Sequence, residues 1–130
     1  MQVQDIMTTQ VLTIDAQASI DHARTKMRTA GVHQLVVRGQ GGRVVGVLGA
    51  ADVRAAPEHA AVADFMSRRL VTVHPETDVG AAAALMRVNA IGSLPVFKGK
   101  RLVGIVTVSD MLDVVDDPNG PFDRTPSVDA

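Results

Sequence analysis

A glycine, a threonine and an aspartate stand at fixed spacing in Gly104-Ile105-Val106-Thr107-Val108-Ser109-Asp110. Ile105 and Val106 read as the end of a buried strand, and the residues from Ser109 as the start of a helix. Thr107 and Asp110 then share one strand-to-helix corner. A carboxylate there can accept two hydrogen bonds from a vicinal diol, as acidic residues do for ribose, and the Thr hydroxyl can add one more. The N–H groups of the first helical turn, where Ser109 sits, favour phosphate. Spacing alone leaves a second role open, in which Asp110 caps its own helix. A parallel stretch, Gly46-Val47-Leu48-Gly49-Ala50-Ala51-Asp52, keeps the aspartate but has Gly49 where the hydroxyl should be. Asp52 is therefore expected to act as a cap, and a second site built on it to be weak or empty.

That parallel belongs to a longer echo. Val3-Gln4-Asp5-Ile6-Met7-Thr8 through Ile14 reappears as Val62-Ala63-Asp64-Phe65-Met66-Ser67 through Val73, with Asp64 minus Asp5 and Thr72 minus Thr13 both 59. The echo continues in Met27-Arg28 and Met86-Arg87. After a one-residue gap it resumes in Val45-Gly46-Val47 and Val103-Gly104-Ile105. A unit this short buries too little surface alone and must pack on its copy. Residues 1–58 form the first repeat and 59–117 the second. Residues 118–130, with Pro118, Gly120, Pro121 and Pro126 among polar residues, read as a tail.

Each repeat reads as a helical turn, a strand, a helix, two strands and a closing helix. In the first, Val11 to Ile14 is the opening β-rich run. Ser19 offers a hydroxyl to an orphan N–H at a helix start, and Ile20, Ala23, Met27 and Ala30 follow on one helical face. Gly31 ends that helix. Leu35 to Val37 and Val44 to Leu48 flank Gly39-Gln40-Gly41-Gly42, a hairpin signal, and Asp52 to Ala56 closes the repeat before Pro57. In the second, Thr77 or Asp78 caps a helix carrying Val79, Ala82, Leu85 and Met86. Leu94 to Phe97 and Leu102 to Val106 are strands turned by Lys98-Gly99-Lys100, and Ser109 to Asp116 closes the repeat. The strands are nearly all Val, Leu and Ile, so helices are expected to cover at least one sheet face. The fold class is α+β, with a pseudo-twofold relation between repeats.

Composition removes several functions. There is no Cys, hence no disulfide framework, thiolate metal site or Cys nucleophile. Thirteen basic and fourteen acidic residues give a net charge of −1, with no general pull toward nucleic acid or anionic membrane. Three Phe and no Trp or Tyr leave almost no platform for stacking bases. His22 and His59 have no partner at metal-ligand spacing. The glycines between Gly39 and Gly46 fail the dinucleotide fingerprint because they lie between two strands. No run of about 18 apolar residues and no charged-then-apolar start is present, so a cytoplasmic location away from membranes is expected.

The block Val-x-Asp-(Ile/Phe)-Met-(Thr/Ser) in both repeats, each followed by a (Leu/Val)-Thr-(Ile/Val) strand, occurs together with Ser93-Leu94-Pro95-Val96 and the Gly104–Asp110 motif. In this order they make the chain resemble a tandem cystathionine-β-synthase (CBS) domain pair, or Bateman module. The resemblance implies two βαββα units packed through their sheets, with clefts at their interface. It also implies binding of an adenosine-containing ligand (AMP, ADP, ATP, NAD or S-adenosylmethionine), reported to a partner. On this chain it implies Thr107 and Asp110 at the ribose and Val71, Thr72, Ser93, Leu94 and Pro95 around the adenine. Gly31-Val32-His33-Gln34-Leu35-Val36-Val37 further resembles a segment in the gamma subunits of AMP-activated kinases. There a basic residue before the second strand faces phosphates held by the opposite repeat. Carried over, His33 would face phosphates of the site on Asp110, where the charged imidazole is favoured; its repeat mate, Gly92, offers nothing. Arg68, next to Arg69, has two open roles: phosphate contact or a solvated pair.

The expected function is thus a regulatory module that senses an adenine nucleotide as its ligand and requires no cofactor or metal. No set of nucleophile, base and orienting group indicates an enzyme. The relay would be a shift between two packings of the halves, passed to an effector protein or a second copy. Met111, Leu112, Val114 and Val115 offer an apolar face for a homodimer. The alternatives are a nucleic-acid-binding module, which the charge and aromatic content disfavour, and an interaction scaffold without a ligand.

Overall fold

The two repeats exchange their leading segments. The computed structural model describes residues 1–115, with side chains through residue 113, and forms two compact units. One is Val11–Leu70; the other joins Met1–Gln10 to the chain from Val71 onward. Val3 and Val62, 59 positions apart, are each fully buried. Val3 packs with Val73, Val79 and Met86, whereas Val62 packs with Ile14, Ile20 and Met27. Each leading segment therefore completes the core of the other repeat's helices and strands. Main-chain bonds repeat the pattern. Val3 N–H donates to the Thr77 carbonyl at 2.8 Å, and Val62 N–H to the Ala18 carbonyl at 2.8 Å. Thr8 and Ile105 exchange two bonds of 2.9 Å, and Ser67 and Val47 exchange bonds of 2.9 and 3.0 Å.

In the Val11–Leu70 unit, β1 (Thr13–Asp15) pairs parallel with β2 (Gln34–Arg38), which pairs antiparallel with β3 (Val44–Gly49). Helix α1 (Ile20–Ala30) joins β1 to β2, as a parallel pair requires. Ser19 caps it, its hydroxyl accepting from His22 N–H at 3.1 Å, and Gly31 ends it at a φ of 68°. Ile20, Ala23 and Met27 are its buried face. The glycine run forms the β2–β3 turn, with Gly41 and Gly42 at φ of 74° and 77°, where a side chain would be strained. Helix α2 (Ala50–Ala55) closes the unit.

The second unit contains α3 (Val79–Asn89), β4 (Ser93–Lys98), β5 (Arg101–Thr107) and α4 (Val108–Val115). Of the two candidate caps, Asp78 holds α3, accepting from Gly80 N–H at 2.9 Å, while Thr77 Oγ1 accepts from His74 N–H at 3.0 Å. Val79, Ala82 and Met86 are buried. Strands β4 and β5 form an antiparallel pair. The expected first strand around Val71 and Thr72 shrinks to a single parallel bridge, Val73 to Val96. Pro95 explains the loss. Its repeat equivalent, Val36, donates its N–H to the Leu12 carbonyl at 3.1 Å; proline has no N–H, so the same ladder bond to Val71 cannot form. The tail from Pro118, and the packing expected of Val114 and Val115, lie outside the described side chains. Among the described residues no helix is long and apolar enough to cross a membrane.

Two glycines let the leading segments approach. A Cβ on Gly46 would lie 2.6 Å from the Ser67 carbonyl oxygen, and one on Gly104 would lie 2.6 Å from Met7 Sδ and 3.0 Å from the Thr8 oxygen. The first glycine of the Gly-x-x-Thr-x-x-Asp motif is thus a packing residue. Gly104→Ala is expected to destabilise the protein by about 1–3 kcal/mol through overpacking, read as a lower urea midpoint at unchanged slope. At the end of α3, Ala90 holds the left-handed conformation (φ 54°) that Gly31 holds at the end of α1. Ala90→Gly should therefore raise the midpoint, by about 0.5–1 kcal/mol.

Candidate functional site

The strand-to-helix corner after β5 is a reciprocal cap. Asp110 Oδ2 accepts from the Thr107 N–H at 2.8 Å and from the Thr107 hydroxyl at 3.1 Å. Thr107 Oγ1 in turn accepts from the Asp110 N–H at 3.3 Å. Of the roles open to Asp110, capping is therefore present. It engages only one carboxylate oxygen: among the described residues Oδ1 makes no hydrogen bond and remains an acceptor. The Thr107 hydroxyl spends its proton on Asp110 and keeps one lone pair. α4 begins at Val108, one residue before the expected start, because Thr107 is the cap. Val108 N–H is bound to the Gly92 carbonyl at 3.0 Å, leaving Ser109, exposed in the first turn, with an N–H that has no acceptor among the described residues.

The β4–β5 register brings the other expected residues of this unit to the same corner. Ser93 sits directly across from Thr107, Leu94 from Val106, and Pro95 from Ile105. Strand alternation separates them. The Leu94 side chain is fully buried in the core with Val96 and Val106, so what it can offer a ligand is backbone. Ser93 and Pro95 are on the opposite face, both buried. Ser93 is 7% exposed, and its hydroxyl makes no hydrogen bond among the described residues. A buried hydroxyl without a partner is unfavourable by about 1–3 kcal/mol, so this one needs an explanation. Val71, half-buried against the core, has a carbonyl that Pro95 cannot satisfy. Thr72 beside it is exposed.

The three remaining candidates lie in the other unit. Asp52 Oδ2 accepts from Gly49 N–H at 2.8 Å, but Gly49 has no side chain to return the bond, so only half of the cap forms. His33 is exposed, and its carbonyl accepts from Ala50 N–H at 2.9 Å, which fixes it beside the start of α2. Arg68 donates to the Ala63 carbonyl at 3.1 Å, a local bond that steadies the leading segment. Sequence reading did not single out Arg24, Arg28 and Arg54, which line a groove with His33 between α1 and α2. The i, i+4 spacing of Arg24 and Arg28 on the face next to Met27 was the available signal. Among the described residues no cluster of His, Asp or Glu could hold a metal ion.

A CBS domain model matches residues 3–59 and 62–117. The chain belongs to the CBS domain family. It is 32% identical to a CBS domain-containing protein of Dictyostelium discoideum over 87% of this chain and 90% of that protein. It is also 32% identical to the magnesium transporter MgtE of Thermus thermophilus, but spans only 26% of that protein. Among solved structures, a CBS domain pair in complex with 5′-methylthioadenosine and S-adenosyl-L-methionine superposes with a TM-score of 0.80 at 26% identity, covering 87% of this chain and 94% of that one. The cytosolic domain of the Mg2+ channel MgtE in complex with ATP gives a TM-score of 0.74 at 31% identity, over 87% of this chain and 48% of that one.

Thr107→Val keeps the shape of this CBS corner and removes its hydroxyl. It should lower stability by about 1 kcal/mol, a lost cap, in the same urea titration. Gly49→Ser should change stability by only a few tenths of a kcal/mol, since a Cβ there meets nothing closer than 3.6 Å.

Proposed function

We propose that this CBS pair is a regulatory module that binds an adenosine-containing ligand at the Thr107–Asp110 corner and relays its presence to another polypeptide. The buried, unpartnered hydroxyl of Ser93 opposite Thr107 carries the reading. A bound ligand offers that hydroxyl the partner it lacks. Around it stand acceptors of the kind a nucleoside requires. Asp110 Oδ1 accepts from a ribose diol, and the spare lone pair of Thr107 adds a contact. The Val71 carbonyl can accept from the exocyclic amine of adenine, with Pro95 supplying an apolar wall. The Ser109 N–H is directed to an anionic or polar group. The adenosine-containing ligands of two similar solved structures, 5′-methylthioadenosine and S-adenosyl-L-methionine in one and ATP in the other, support the ligand class. The proposed role is binding rather than turnover, and AMP, ADP, ATP, NAD and S-adenosyl-L-methionine are its candidate ligands.

The repeat difference predicts one main site. Thermal unfolding is measured against each candidate ligand. A ligand at about 100 times its dissociation constant should stabilise the fold by about 2.7 kcal/mol. Asp110→Asn retains an acceptor for the cap but loses the charge, and should weaken binding about tenfold or more. Asp52→Asn should leave binding unchanged. Gly49→Thr installs the missing hydroxyl and should raise the stoichiometry by calorimetry from one ligand per chain toward two. No stabilisation by any of the ligands, or equal loss from Asp52→Asn and Asp110→Asn, would overturn the one-site reading.

A further inference from the structure

The β2–β3 turn closes over a groove whose charges the second repeat lacks. The groove, about 560 Å³, is lined by Thr13 and Asp15 of β1, His22 and Lys26 of α1, Arg38 of β2 and the glycine turn. Grooves of that size hold small molecules. β2 begins at Gln34, opposite Gly49 and the Asp52 corner, and ends at Arg38. Those two ends are about 13 Å apart, so the groove is distinct from the corner in its own unit. None of its residues belongs to the unit that holds the Thr107–Asp110 corner.

Lys26 and Arg38 are half-buried. Long cationic side chains at such positions ordinarily carry their heads out to water. Here both heads turn onto carbonyls of residues that line the groove. The Lys26 ammonium donates to the Thr13 oxygen, and Arg38 Nη1 donates to the Gly42 oxygen at 2.6 Å. Neither cation has a carboxylate partner among the described residues. Asp15 lines the same groove but forms no ion pair, its Oδ1 accepting from Gln17 N–H at 2.7 Å. His22, exposed, stands one turn before Lys26 on the same face of α1, and its imidazole has no hydrogen bond among the described residues.

The second repeat is the control. It has Ala81, Leu85 and Phe97 where the first has His22, Lys26 and Arg38. Leu85 and Phe97 are half-buried in their turn, and Leu85 packs on its core. The frame accepts apolar side chains at these positions, so packing gives no reason for two cations. The turns differ as well. Gly39-Gln40-Gly41-Gly42-Arg43 is one residue longer than its counterpart and holds Gly41 and Gly42 at positive φ. The N–H groups of Gln40 and Gly41 have no acceptor among the described residues. Successive free N–H groups in a turn with left-handed residues form anion-binding concavities.

We propose that this groove binds the phosphoryl group of a small molecule, held by Lys26 and Arg38 with His22 and the turn N–H groups beside them. A guanidinium binds phosphate oxygens in bidentate geometry, and an ammonium adds a point charge. A phosphate monoester brings nearly two negative charges and three acceptor oxygens. That matches two cations and several N–H donors better than a single carboxylate does. Free phosphate and a phosphorylated metabolite share this chemistry. The proposal stands on the groove and does not rest on the adenosine-ligand reading.

The test reads the backbone amide signals of the turn by NMR. The full-length chain is titrated at constant ionic strength with inorganic phosphate, with glycerol phosphate and with succinate. The Gly39, Gly41 and Gly42 signals are expected to move saturably with both phosphates and not with succinate. Tighter binding of glycerol phosphate would make a metabolite the source and equal binding would make it free phosphate; both uphold the site. Lys26→Leu, the second repeat's own residue, combined with Arg38→Gln should weaken phosphate binding about tenfold or more. Arg38→Lys keeps the charge but loses the planar fork, and its weaker binding carries the comparison if the double variant does not fold. Asp110→Asn should leave the titration unchanged, which separates failure of this proposal from failure of the adenosine-ligand reading. No saturable movement with either phosphate would overturn the proposal. So would equal movement with succinate, undiminished binding by a folded double variant, or movement abolished by Asp110→Asn.

Discussion

The exchange of leading segments is the constraint on which the rest of the structure depends. Neither repeat's helices and strands close their own core: Val62 seals the cluster around Ile14 and Ile20, and Val3 seals the one around Val73 and Val79. Removing either leading segment would expose a fully buried valine's partners and strip β3 or β5 of the bonds made by Ser67 or Thr8. β5 is the strand that ends in Thr107. Ile105 is held on one side by Pro95 and bonded on the other to Thr8. The corner that follows two residues later is therefore set by a segment from the far end of the chain. This is a non-local contact, and the loop-closure entropy behind it must be overcome before the corner exists.

The corner shows how one side chain can cap a helix and still keep an acceptor for the ligand proposed above. A carboxylate that only capped would be satisfied by Oδ2, which takes both bonds from Thr107. The second oxygen is what remains for a ligand. The cap also fixes the rotamer, so the diol of the proposed ligand would meet an acceptor that is already placed, and less ordering entropy would oppose binding. In the first repeat the same aspartate sits on a six-residue helix, with a glycine across from it. Its carboxylate is less constrained and lacks the neighbouring hydroxyl.

Local physics was legible in the sequence and long-range pairing was not. Ser19 and Gly31 could be assigned, and the α3 cap narrowed to Thr77 or Asp78, because a cap needs only its own neighbours. The Thr107–Asp110 corner was legible for the same reason. The destination of each leading segment was hidden, since no local pattern says that Thr8 pairs with Ile105 rather than with Val47. Gly46 and Gly104 look alike as motif glycines, and only the structure shows what they let pass. The shortened strand near Val71 was readable in principle, because a proline withholds a donor, but the missing bond needed its equivalent, Val36 to Leu12, for comparison. Ser93 was legible only through the family resemblance: its burial and the lack of a partner are properties of the packed unit.

The two repeats also act as controls for each other. Their cores match position by position: Ile20 with Val79, Ala23 with Ala82, Met27 with Met86, Leu35 with Leu94, and Val37 with Val96 are all buried. Two frames with such similar cores impose similar packing demands on the residues at their corners. Packing therefore gives no reason for Gln34 to become a buried Ser93, Val36 to become Pro95, or Gly49 to become Thr107. Those changes fall on one corner, and each leaves a polar group without a full complement of bonds or supplies a hydroxyl beside one. A frame that tolerates an unsatisfied hydroxyl where its twin has none is stabilised less in isolation, and binding a polar partner there returns what was lost. The asymmetry therefore supports the proposed recognition at this corner, although one of its changes, Gly49 to Thr107, also completes a helix cap.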